Sequence, residues 1–176
     1  MPAAKKNQKP TFFLRLAVSC ANDGNFDQVE FDLGSYTSLG SSKPEVLKIH
    51  AGHAYITDAG GEFPVVAADT GGSLSYQLTT HSQTALVTAE DDTFIMGGTG
   101  AYRNPDSAPL PPTQEAGVGI MPQDYVDGYM VATPSLFLGG QVSNQFNETV
   151  KICIVLECST MSLTKEDAIA IALNQS

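Results

Sequence analysis

The stretch Thr149 to Ser159, Thr-Val-Lys-Ile-Cys-Ile-Val-Leu-Glu-Cys-Ser, constrains the fold more than any other in this 176-residue chain. Taken with a period of two, it sets Val150, Ile152, Ile154, Leu156 and Cys158 on one face. Lys151, Cys153, Val155 and Glu157 fall on the other. Alternation built from β-branched residues belongs to a strand with one face in a core and the other half wet. Burying that face contributes about 1.5–3 kcal/mol per large side chain, before the cost of ordering the chain. The stretch is therefore predicted to be a central strand, with the other apolar runs as its neighbours.

A chain of 18.6 kDa suits one well-buried domain and is short for two. Its 16 Gly and 10 Pro are spread along the sequence, which suits short strands and turns better than long helices. Only 16 % of the residues are charged, so much of the surface consists of Ser, Thr, Asn, Gln and small apolar groups, a surface that partners cover easily. The charge is also uneven. Lys5, Lys6, Lys9 and Arg15 precede all 19 acids, and the residues after Arg15 carry a net charge of −14. So acidic a body repels phosphate backbones, which argues against nucleic acid binding through the folded surface. Residues 1–10 are predicted to be a flexible basic tail, and residues 11–176 a single domain. No apolar run reaches the roughly 18 residues of a membrane span, and no signal peptide is expected.

Three cysteines is an odd number. Cys153 and Cys158 lie five apart, point to opposite faces of one strand and cannot bond to each other. Cys20 can pair with either only if the strands are neighbours. Free thiols are the expectation.

In chain order, Phe12 to Cys20 alternates cleanly. Ala21-Asn-Asp-Gly-Asn25 then signals a hairpin into Phe26–Gly34, where Val29, Phe31 and Leu33 face away from Gln28, Glu30 and Asp32. Tyr36–Pro44 is a Ser/Gly loop. Glu45–Thr57 is a third strand with Leu47, Ile49 and Ala51 on one face and a plausible bulge at Gly52. Pro64–Gly72 is an irregular connection. Leu74–Thr80, Gln83–Ala89 and Thr93–Met96 are strands, the last two flanking the turn Glu90-Asp91-Asp92. Gly97-Gly-Thr-Gly100 opens a long loop. Arg103–Pro122 holds five of the ten prolines, so it is an ordered excursion or a sheet edge. Gly128–Leu138 gives a strand pair or a strand bent at Pro134, and Gly139–Asn147 turns the chain into Thr149–Ser159. A helix is expected near 164–174, with Thr164 as N-cap and Asp167 as its capping-box partner. Being short and apolar nearly all round, it has to dock on something. About eight short strands and a terminal helix make an all-β sandwich or barrel.

Residues that suggest chemistry do not assemble into a motif. His50 and His53, spaced i and i+3, point to opposite faces of a regular strand and share a metal only across a bulge. A third ligand, with His81 as the candidate, is unidentified, so structural histidines are the reading. Glu90-Asp91-Asp92 lacks the spacing of a calcium loop, and Gly97–Gly100 lacks the Lys-Ser/Thr of a phosphate loop. Asn147-Glu-Thr149 fits a glycosylation sequon. No catalytic, metal or cofactor residue is assigned, and no enzyme activity is expected.

Three stretches together look like single jelly-roll capsid proteins of small icosahedral viruses. They are Val29-Glu-Phe-Asp-Leu-Gly-Ser-Tyr36 running into Val46–His50, then Leu74–Thr80, then Gly128–Gly140 with Val150–Leu156. The resemblance implies an antiparallel eight-stranded jelly-roll sandwich with a short C-terminal helix, acting as a capsid subunit that self-assembles into an icosahedral shell. It places subunit contacts at Tyr102, Arg103, Pro109, Leu110, Ile169 and Leu173, and contact with the inner surface at Lys5, Lys6 and Lys9. Expected partners are copies of itself, with a second coat protein or an internal membrane, and nucleic acid at most through the N-terminal tail. The expected location is the virion, assembled in the host cytoplasm without secretion through a signal peptide. The short Lys arm and acidic body depart from capsids that wrap nucleic acid with long Arg-rich arms. They suit a shell over a membrane or protein layer, as in bacterial and archaeal viruses with upright barrels. The rival readings are a β-sandwich module for carbohydrate or another ligand, and a cupin-like enzyme, which would need converging His and Glu ligands.

Overall fold

A computed structural model describes residues 10–175. Nine strands lie among them: β1 (Phe12–Cys20), β2 (Phe26–Asp32), β3 (Glu45–Asp58), β4 (Thr70–Thr79), β5 (Phe94–Asn104), β6 (Gln114–Ile120), β7 (Tyr129–Val131), β8 (Ser135–Val142) and β9 (Val150–Ser162). One helix, α1 (Lys165–Leu173), follows. They form two antiparallel sheets, of order β1-β9-β3-β7 and β2-β8-β4-β5-β6. This alternating exchange between sheets is the double Greek key of a jelly roll. β6 is a ninth strand, added beyond the eight expected.

β9 is central, as its alternation predicts. It pairs with β1 from Phe12↔Cys158 to Cys20↔Val150, and with β3 on its other side. Val150, Ile152, Ile154, Leu156 and Cys158 are all fully buried. Leu14, Leu16 and Val18 from β1 and Leu74, Leu78, Leu136 and Leu138 from the facing sheet complete the core.

Several local expectations yield to tertiary structure. The Asp23-Gly24 turn forms, with Gly24 at φ +80°, but β1 and β2 enter different sheets, so the connection is a crossover and not a hairpin. Likewise β7 and β8 belong to opposite sheets, and Ala132–Pro134 crosses between them. The bulge in β3 falls between Ile49 and Ala51 and not at Gly52. It reverses the parity of the strand, so Leu47 and Ile49 point inward, whereas Gly52 is buried in place of Ala51. Gln83–Ala89 is not a strand. The Gln77 side chain accepts from Val87 N (2.7 Å) and donates to Ala85 O (3.1 Å), so that segment lies across β4 as a strap. Gly97–Gly100 is the middle of β5 and not a loop. A Cβ on Gly98 would lie 2.9–3.0 Å from the Tyr76 ring, and one on Gly100 2.9–3.1 Å from the Tyr102 ring. These glycines serve close packing under aromatic rings, which the sequence alone presents as a turn.

α1 starts at Thr164, whose Oγ1 accepts from Asp167 N at 3.2 Å and donates to the Asp167 carboxylate at 2.8 Å. It docks on its own sandwich. Ala168 is buried with Val46 and Ala132, and Ile171 and Ala172 pack beside them. Gln175 locks the end: its Oε1 accepts from Ala132 N (3.0 Å), its Nε2 donates to Met130 O, and its carbonyl accepts from Thr80 Oγ1 (2.9 Å).

All three cysteines are free. Burial pushes the Cys20 and Cys158 thiols up to about 12, whereas Cys153 is half-buried on the outer side of β9. Because the thiolate is the reactive species, native protein treated with a thiol reagent is expected to label at Cys153 alone, and at all three sites in denaturant. Native labelling of Cys20 or Cys158 as fast as Cys153 would contradict this packing.

Candidate interaction surfaces

The residues with chemical potential are engaged singly. The bulge in β3 sends both His50 and His53 to the outer side of the sheet. There His50 Nε2 lies 2.8 Å from Ser159 Oγ and His53 is exposed. His81, on the loop after β4, has Nδ1 3.2 Å from Thr80 Oγ1. Among the described residues, no three His, Cys, Asp or Glu side chains gather where a metal ion could sit. Asp91 accepts from the Thr93 hydroxyl and amide, which hold its carboxyl below the usual range. It therefore fastens its own turn. Asn104, fully buried, donates to Val66 O (3.0 Å) and Ala108 O (2.9 Å), which ties the start of the excursion after β5 to the connection before β4.

What the surface offers is exposed apolar area in a body of low charge. The excursion 105–122 contains both structures the prolines allow. Leu110 makes a two-way backbone bridge with Val66, and β6 then returns antiparallel to β5, from Arg103↔Gln114 to Gly97↔Ile120. The prolines flank β6, whose seven residues are free of them and all exposed. Inward-facing Glu115, Gly117 and Gly119 lie beside the inner positions of β5. Ala116, Val118 and Ile120 share the outer face, and Val118 is 75 % exposed.

Of the residues expected at subunit contacts, Arg103, Pro109, Leu110, Ile169 and Leu173 are exposed. Tyr102 is half-buried, because alternation along β5 turns its ring inward against Phe146, with centroids 5.8 Å apart. Burial, with the Glu115 carboxylate nearby, raises its phenol above the ordinary range. The structure does not gather the remaining five at one place: Arg103 is the last residue but one of β5, Pro109 and Leu110 sit in the excursion, and Ile169 and Leu173 lie on the solvent side of α1. Lys5, Lys6 and Lys9 lie outside the described residues. Sequence reasoning missed Val118, Ile120 and the fully exposed Val126. The signal for β6 was a Pro-free alternating heptapeptide between prolines.

No protein-family model matches the chain, and no curated protein does. Among solved structures it is similar to VP1 of Human Polyomavirus 12 in complex with 3'-sialyllactosamine. Identity is 5 %, coverage is 88 % of this chain and 100 % of that one, and the TM-score is 0.46. VP1 of New Jersey Polyomavirus gives 8 % identity, the same coverages and a TM-score of 0.46. The chain from a Merkel Cell Polyomavirus virus-like particle gives 5 % identity over 93 % of this chain and 77 % of that one, with a TM-score of 0.45.

Proposed function

We propose that the chain is a capsid subunit, many copies of which assemble into the closed icosahedral shell of a virion. The strand order carries the reading: β1-β9-β3-β7 over β2-β8-β4-β5 is the jelly roll used by viral shells, as well as by lectins and cupins. Exposed apolar residues on several separate elements favour the shell among these three, because a closed lattice needs more than one contact per subunit. In this reading surfaces do the work and the protein is not an enzyme. Arg103, Pro109, Leu110, Ile169 and Leu173 meet neighbouring copies, with Tyr102 half-buried beside Arg103 on β5. Lys5, Lys6 and Lys9 face the interior, toward an internal membrane or a second coat protein, with nucleic acid contact confined to that tail. Assembly takes place in the host cytoplasm.

Negative-stain micrographs of the purified full chain across salt and pH test this. Isometric particles of uniform size are the expected result, and empty fields at every condition would overturn it. A second reading, a glycan-binding module, is favoured by a groove of about 480 Å³ beside Ser73, Arg103, Gln114 and Glu115. Strong hits on a glycan array from protein that never forms particles would make that reading the better one.

A further inference from the structure

We infer that β6 is the edge through which two copies of this chain join, antiparallel about a two-fold axis, into one continuous sheet. The inference rests on the proposal that the chain assembles with itself, and it names the surface and the geometry. β6 ends its sheet, so one side of its backbone faces away from β5. A row of unpaired N–H and C=O groups is satisfied best by another strand.

The other sheet ends are guarded. β1 packs at the corner against β2 and β8, β2 carries Asp27, Glu30 and Asp32, and β7 has three residues with α1 beside it. β6 has none of these protections: seven residues, no Lys, no Pro, no register shift against β5, and Glu115 as its one charge. Charge also selects the occupant. With a net of −10, copies repel over most of their surfaces, and β6 is a nearly neutral segment where they can approach. Pairing about Gly117 sets each Glu115 opposite a Gly119 and not opposite its own copy. Val118 then meets Ala116 of the second copy, twice, as a two-fold contact requires. On the outer face, Val118 and Ile120 border an apolar groove with Leu86, Val87 and Phe94.

The test uses the full chain. Amide exchange of residues 114–120 is followed at rising protein concentration. In parallel, Val118→Lys is compared for self-association, and Ala116→Cys is mixed with Val118→Cys, both in a Cys153→Ser background. Slower exchange of the β6 amides with concentration is expected, together with association of Val118→Lys weakened about tenfold or more. The mixed cysteine variants should give a disulfide-linked dimer that neither forms alone at the same rate. Unchanged exchange with no mixed disulfide would overturn the inference, whatever Val118→Lys does. Particles whose β6 amides exchange freely would overturn the edge and leave the shell reading standing. A β6-protected dimer that never grows into particles would uphold the edge and overturn the shell.

Discussion

Replacing Ile154 by Ala is expected to lower the unfolding free energy by about 2–5 kcal/mol, the range for deleting a buried aliphatic side chain that leaves a cavity. Ile154 is fully buried at the centre of β9, opposite Leu16 on one side and Ala54 on the other. Strands flank it on both sides, so the site has little room to collapse. Val155→Ala, one residue along on the half-buried outer side, is the matched control and is expected to cost about 1 kcal/mol or less. Urea titrations of both variants check this, with the same denaturant slope as the parent showing that stability alone has changed. Equal costs for the two variants would mean that β9 does not have one core face and one outer face.

Gly128→Ala should cost about 2–5 kcal/mol, a large effect for one methyl group. Gly128 has φ +72°, and a Cβ there would lie 2.2 Å from Ile49 O and 3.3 Å from His50 Cα. Both obstacles are backbone, at the bulge in β3, and neither can rotate away. Gly24→Ala separates strain from collision, because Gly24 has φ +80° with nothing within 4 Å of the added Cβ. Left-handed strain alone costs about 1–2 kcal/mol. Gly128→Ala should also speed amide exchange in β7, which pairs with β3 from Leu47↔Val131 to Ile49↔Tyr129. If the two glycine variants cost the same, or β7 exchange is unchanged, the close approach at Gly128 is not as described.

The elements legible in the sequence are those that carry their own explanation. The alternation in β1 and β9 is visible because one face is buried and the other is not, and the N-cap of α1 because Thr164 and Asp167 are three apart. Partner choice is not written locally. Asp23-Gly24 looks like a hairpin turn, and only the packing of two whole sheets makes it a crossover. Gly97–Gly100 looks like a loop because glycine weakens a strand, yet the cause lies in the rings of Tyr76 and Tyr102, one of them on another strand. That misreading carried over to the surface. With Gly97–Asn104 taken as a strand, Tyr102 alternates with Arg103 and faces the core. The prolines of the excursion hid the Pro-free segment that forms β6. The His50 bulge was beyond reach, because it depends on the register of β3 against β9.

Sedimentation velocity of the purified full chain over a wide concentration range, at low and at high salt, tests most directly whether these surfaces serve self-assembly. Screening of a net charge of −10 should favour association as salt rises. The expected result is a concentration-dependent shift from small species to one large, uniform boundary, earlier at high salt. A single 18.6 kDa species at every concentration and salt would contradict it.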